Sequence, residues 1–155
     1  MENDRNIRSE VFYNFREKYY GTALNICEEY LLHATSNKVF FLIAKSYCLV
    51  KLKRTASALR QLNSLKDDQQ FKVSLLLVNK IALEAETEKD LNRIKEVSKE
   101  IENLFNKATE EDVYTGCIVL ISENQLPKAK TFIQRNVKDD TNQDISCLLG
   151  ALNFQ

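Results

Sequence analysis

At 155 residues, with 44 % hydrophobic and 28 % charged side chains, the chain has the balance of one ordinary globular domain able to bury a core. Its 22 basic and 22 acidic residues cancel, so no long-range field draws it to nucleic acid or an anionic membrane. Three glycines and one proline are too few for a turn-rich β-sandwich. There is no apolar run of the ~18 residues a transmembrane helix needs, so membrane insertion is not expected. Met1-Glu-Asn-Asp-Arg lacks the apolar core of a signal peptide. Cys27, Cys48, Cys117 and Cys147 are widely spaced in apolar surroundings, and read as reduced core residues of a cytosolic protein.

The first helix is expected over about residues 7–19, with Ile7, Val11, Phe12, Phe15 and Tyr19 at helical spacing. Tyr20-Gly21 is the expected turn into a second helix, about 21–33, with Ala23, Ile26, Cys27, Tyr30 and Leu31 inward. Thr35-Ser-Asn37 breaks it and offers a cap for the third helix, 38–51. A fourth follows over 54–65. Lys66-Asp-Asp68 ends that pair and supplies an aspartate to cap the fifth helix. Val73 to Leu83 is apolar nearly all round, so the fifth helix is expected at the centre of the stack.

The sixth helix, about 89–108, is the opposite. Leu91, Ile94, Val97, Ile101, Leu104 and Ala108 form a narrow stripe on a charged rod. Barely two and a half heptads is short of a coiled coil, so the stripe is expected to pack on its neighbour. Its surplus length is free to touch a partner. Thr109-Glu-Glu-Asp112 starts a seventh helix, 112–123. Asn124 suits a left-handed turn and Pro127 the first turn of the eighth helix. A ninth, about 142–153, carries Ile145, Leu148, Leu149 and Leu152. One of its faces is expected on helices seven and eight, with the other partly bare.

One local setting recurs: Gly-Thr-Ala-Leu-Asn-Ile-Cys at 21–27, Ala-Ser-Ala-Leu-Arg-Gln-Leu at 56–62 and Pro-Lys-Ala-Lys-Thr-Phe-Ile at 127–133. The central alanines Ala23, Ala58 and Ala129 stand 35 and then 71 residues apart. That is one and then two periods of about 34, the tetratricopeptide repeat of paired antiparallel helices. The third pair lacks the alanine, near Ile94. The expected fold is an all-α, tetratricopeptide-like solenoid of about nine antiparallel helices. It forms a single domain over 1–155, with repeat pairs at about 7–34, 38–66, 69–108 and 112–138 and a terminal helix at 142–153. Solenoids of this kind bind other proteins.

Catalytic signals are missing, and no cofactor or metal site is expected. The single histidine, His33, ends the second helix, where it suits the last carbonyls. No cysteine or carboxylate stands at ligand spacing from it. No Gly-x-Ser-x-Gly or glycine-rich phosphate loop occurs. Glu84, Glu86, Glu88 and Asp90 surround a helix break and read as a solvated turn. Lys51-Leu-Lys-Arg54 suits the dipole at a helix end or an acidic partner.

The candidate contact residues are apolar. Phe12, Tyr13, Phe15, Tyr19 and Tyr20 exceed what one face of one helix buries, so part of the cluster is expected in the core and part exposed for assembly. The inner positions, Phe12, Phe15, Phe40, Ile43 and Tyr47, cannot clamp a peptide carboxylate. Phe12, Phe15, Tyr19, Tyr47, Leu148 and Leu149 are the candidate protein-binding residues.

Several segments occur in a telling order: Tyr-Asn-Phe-Arg-Glu-Lys-Tyr-Tyr at 13–20, Phe-Phe-Leu-Ile-Ala-Lys-Ser-Tyr at 40–47 and Arg-Thr-Ala-Ser-Ala-Leu-Arg-Gln-Leu at 54–62. Tyr-Thr-Gly-Cys-Ile-Val-Leu at 114–120, Leu-Pro-Lys-Ala-Lys-Thr-Phe-Ile at 126–133 and Leu-Leu-Gly-Ala-Leu at 148–152 follow. From about residue 9 to 153 this resembles the N-terminal region of the tetratricopeptide repeat protein 21 family, the large repeat subunit of intraflagellar transport complex A. The family's usual glycine between paired helices is replaced here by Leu52-Lys53. The resemblance implies a fragment of a longer solenoid and a non-catalytic scaffold for other subunits of that complex. It implies retrograde transport and a cytoplasmic, ciliary and basal-body location. The alternative is an adaptor in another assembly, such as a coat, a ubiquitin ligase or a chaperone-linked complex.

Overall fold

Apolar residues at three- and four-residue spacing fold the chain into helices, with no strand among the described residues. The computed structural model describes residues 2–34, 36, 38–137 and 143–153. The helices are α1 (Glu2–Arg16), α2 (Tyr20–His33), α3 (Lys38–Lys51), α4 (Thr55–Ser64), α5 (Lys72–Ala85), α6 (Leu91–Leu104), α7 (Glu110–Ser122), α8 (Leu126–Asn136) and α9 (Gln143–Asn153). The expected cap at Thr35 and Asn37 lies outside the described residues.

Three of the hairpin turns are built alike. Lys18, Lys53 and Asn124 adopt φ of 63°, 69° and 62°. Each is followed by a residue whose N–H reaches back to a carbonyl five residues earlier: Tyr19 to Asn14 (2.8 Å), Arg54 to Leu49 (2.7 Å) and Gln125 to Leu120 (2.9 Å). This is the helix-ending motif that normally uses glycine. Lys53 therefore takes the left-handed place in the turn where the resemblance implied a glycine. The expected turn at Tyr20-Gly21 is corrected: the reversal occurs at Glu17–Tyr19, and Gly21 lies inside α2. The α5–α6 turn lacks the motif. There Glu86 is extended, and Asp90 caps α6 by accepting from the Arg93 N–H at 3.1 Å.

Ala23, Ala58 and Ala129 are fully buried, as close approach of paired helices requires. α3 packs on α5, α5 on α7, and α7 on α1. The outer helices α2, α4, α6 and α8 make no substantial contact with one another, so they splay. α5 touches α3, α4, α6 and α7, which is the central place its sequence implies. α7 is equally enclosed: every residue from Asp112 to Ser122 is buried. Gly116 permits this. A Cβ there would lie 2.8 Å from Phe132 Cε2 and 3.4 Å from Leu77 Cδ1 and Ser74 Oγ.

The N-termini of α5 and α7 are tied together. Asp112 accepts hydrogen bonds from the N–H groups of Val73 (2.9 Å) and Ser74 (2.8 Å), two first-turn donors of α5. Thr109 Oγ1 caps α7 by accepting from the Asp112 N–H at 3.1 Å, and donates to the Gln70 carbonyl at 2.8 Å. The cap expected from Lys66-Asp-Asp68 is corrected: Asp68 accepts only from the Phe71 N–H at 2.9 Å, just ahead of α5, and the first-turn donors of the helix go to Asp112 instead.

α6 is shorter than its stripe suggests. It has 14 residues, the same as α3 and α5, so no surplus length projects from it. Asn136 of α8 grips the turn that follows, donating to the Phe105 carbonyl at 2.7 Å and accepting from the Ala108 N–H at 2.9 Å. α9 packs on α7 and α8 through Ile145, Leu148 and Leu152. Cys27, Cys48 and Cys117 are buried free thiols, whereas Cys147 is exposed on α9 rather than in the core.

Candidate interaction surface

The inner face of a helical-repeat array is where a peptide usually binds. Here it is filled. Ser122 of α7 lies between α1 and α3, its Oγ donating to the Phe15 carbonyl at 3.3 Å and accepting from Tyr47 Oη at 2.8 Å. Glu123 Oε2, 2.5 Å from Tyr47 Oη, competes with Ser122 for the single phenol proton, and Lys51 pairs with the same carboxylate oxygen at 2.6 Å. Lys18 Nζ donates to the Ser122 carbonyl. Phe15, Tyr20 and Tyr47 pack ring to ring around this cluster, with centroids 4.9–6.4 Å apart. Further along α1, the Arg8 guanidinium sits over Phe40 (4.9 Å) and Tyr114 (4.4 Å) and pairs with Glu111 at 3.4 Å.

These groups fasten helices. Burial, then the hydrogen bond to Glu123, pushes the Tyr47 hydroxyl far above its ordinary range. A phenol held protonated is a donor, not a nucleophile. Burial likewise raises the Cys27 thiol to about 12 and pushes Cys48 and Cys117 up. None of these thiols forms much thiolate at neutral pH. Among the described residues no group of His, Cys, Asp or Glu could hold a metal ion, and no helix is long and apolar enough to cross a membrane.

The six sequence candidates are not brought together. Phe12, Phe15, Tyr47 and Leu148 are buried inside this chain, so direct contact with a partner is corrected for these four. Phe15 and Tyr47 are covered by α7, and Leu148 lies in the α9 contact with the body. Tyr19 remains 55 % exposed and Leu149 half-buried. Tyr13, 57 % exposed, belongs with Tyr19. It lines a hollow of about 290 Å³ with Arg16, Glu17, Lys18, Ile121 and Asn124.

Two larger grooves flank α6, each about 420 Å³. One runs between α4 and α6 over Leu75, Leu76 and Leu83. The other runs between α6 and α8, with Ile101, Phe105 and Pro127 below and Lys80, Lys128 and Arg135 around it. Sequence reasoning missed both, since they arise from the splay of the outer helices. The local signal was Ile94, half-buried where the other pairs have a fully buried alanine.

Antiparallel helix pairs stacked in register, with polar groups that bind helix to helix, define a helical-repeat scaffold. A family model described as the tetratricopeptide repeat protein 21 N-terminal ARM repeat matches residues 11–155. The chain belongs to the tetratricopeptide repeat protein 21 family, as the ordered segments from Tyr13 to Leu152 implied. It is 32 % identical over 150 residues to a Caenorhabditis briggsae protein named tetratricopeptide repeat protein 21 homolog. That alignment covers 94 % of this chain but 11 % of the relative's length.

Proposed function

We propose that this chain is a non-catalytic protein-interaction segment of a longer repeat scaffold in intraflagellar transport complex A. It supports retrograde ciliary transport, and its sites of work are the cytoplasm, the basal body and the cilium. The family match across residues 11–155 carries the scaffold reading. The transport complex comes from the resemblance of the ordered sequence segments to that family. With the inner face closed by α7, contact with other subunits falls to outward surfaces. Tyr19 and Leu149 are the sequence candidates that retain accessible area.

Affinity purification of the tagged full-length protein from ciliated cells tests this. Other subunits of the transport complex should co-purify, and a tagged copy should concentrate at the basal body and along the cilium. Recovery of coat, ubiquitin-ligase or chaperone subunits in their place would move the chain to a different assembly.

A further inference from the structure

The groove between α6 and α8 concentrates positive charge where the chain as a whole has none. Lys80 from α5 and Lys128 and Arg135 from α8 line it, against Glu102 from α6 as the one acidic lining residue. Among the described residues, neither Lys80 nor Lys128 has an ion-pair partner within 4 Å; the pairs present lie elsewhere. Arg135 reaches only the Asn106 amide oxygen, at 3.3 Å. Lys128 is half-buried. Burial lowers its proton affinity first and the Lys80 charge adds to this, with Glu102 and Glu84 offsetting part. Lys80 and Lys128 thus repel one another, and with Arg135 they leave the groove an excess of positive charge that Glu102 and Glu84 offset only in part.

The floor is apolar and rigid. Ile101 and Phe105 lie at the base of the groove but are almost wholly covered by this chain, the Phe105 ring stacking on Phe132 at 4.6 Å, so most of the apolar surface open to a partner here is that of Pro127. Asn136 fixes the turn carrying Phe105 from the α8 side. A free inorganic anion would satisfy the lysines but not this floor. A nucleic acid backbone needs an extended basic track, and three basic side chains beside Glu102 in one groove do not make one. A peptide segment with an apolar anchor beside carboxylates matches both parts.

We infer that the α6–α8 groove is a docking site for an acidic, apolar-anchored segment of a protein partner, its carboxylates neutralised by Lys80, Lys128 and Arg135 and its apolar side chain resting on exposed Pro127 and the edge of Phe105. The inference rests on the scaffold reading above and names one surface for it. α6 suits the task because, among the described residues, its one substantial helix contact is with α5, while α8 meets only the turn that ends it. The opposite groove, between α4 and α6, is rimmed by Lys66, Lys72 and Arg93. There Arg93 is already paired with Glu96 at 3.3 Å and Lys72 donates to the Lys66 carbonyl at 3.1 Å, so less of its charge is unmet.

The test is a peptide array probed with the full-length protein. Its peptides combine leucine or phenylalanine with glutamate, and matched sets replace glutamate by glutamine or by lysine. The acidic set should bind, and the Lys80→Glu, Lys128→Glu double variant should bind it roughly tenfold or more weakly. The lysine set should gain binding to that variant. Both substituted side chains are only partly buried, and far-ultraviolet circular dichroism and melting will show whether the variant is folded. If it is not, Lys80→Gln with Lys128→Gln gives the same reading without reversed charge. Equal binding of acidic and neutral sets, or unchanged acidic binding in a folded variant, overturns the proposal. If wild-type co-purification succeeds while the array shows no acidic preference, the docking site alone is refuted. If co-purification itself fails, the proposed assembly is refuted whatever the array shows.

Discussion

Removing the Asp112 carboxylate should unfasten α5 from α7. In Asp112→Ala the N–H groups of Val73 and Ser74, held at 2.9 and 2.8 Å, lose their acceptor within the core. Water cannot replace it without opening the helix ends, and each buried unpaired donor costs about 1–3 kcal/mol. The Ser74 hydroxyl keeps the Asp112 carbonyl at 2.9 Å as acceptor, so it adds little. Relief of the carboxylate's own burial returns part of the cost. The net loss is about 2–4 kcal/mol, or roughly 5–15 °C of melting temperature for a domain of this size. Urea unfolding at neutral pH, followed by circular dichroism, measures it. A loss below ~0.5 kcal/mol would show that α5 does not depend on this cap.

The same residue gives a pH signature. Burial raises the Asp112 pKa above its ordinary 3.8, and the hydrogen bonds from Ser74 and Val73 offset only part of this. A folded pKa above the unfolded one means the folded state holds the proton more tightly. Its stabilising contribution is complete below the unfolded pKa and falls as pH rises through the folded value. The margin of wild type over Asp112→Asn should therefore be largest in acid and shrink toward neutrality. A margin that grows with pH would reverse the assigned balance.

Gly116→Ala gains about 1 kcal/mol of helix propensity, yet it drives a methyl to 2.8 Å from the Phe132 ring. A net loss of about 1–3 kcal/mol is expected from urea midpoints, and an unchanged midpoint would show slack between α7 and α8. Lys53→Gly should stabilise by roughly 0.5–1 kcal/mol, because φ of 69° strains a residue with a Cβ; a lower melting temperature would contradict this. Ala58→Leu should cost about 1–3 kcal/mol through overpacking between α3 and α4, whereas exposed Lys99→Leu should cost far less. Equal melting temperatures for the last two would refute the repeat register.

Local patterns were readable where local physics decides. The alanines at 23, 58 and 129 and the left-handed Asn124 follow from steric demands within one hairpin, and these positions behave as their chemistry implies. Gly21 misled because glycine is the usual turn residue, whereas Lys18 bears the strain three residues earlier. Asp112 read as a first-turn residue of its own helix. Its role as a cap for α5 lies 38 residues away, beyond any local pattern. The enclosure of α7 did leave a trace, since Val113 to Ser122 carries no charge, like much of α5. The grooves beside α6 left almost none, because the splay of outer helices is set by how the inner ones pack.

Ser122 bonds to the Phe15 carbonyl across 107 residues and to Tyr47 across 75. An open solenoid gains its stability from nearest neighbours, so it can fray one unit at a time from either end. Here α1 cannot peel away without losing both α2 and α7. The closure converts a linear array into a loop whose first and fourth hairpins melt together. It also carries a kinetic penalty, since contacts of such long range form only after the intervening chain has been ordered. Refolding should therefore be slower than for an open array of equal length, and native-state hydrogen exchange should show α1 protected as strongly as α7 rather than fraying ahead of it.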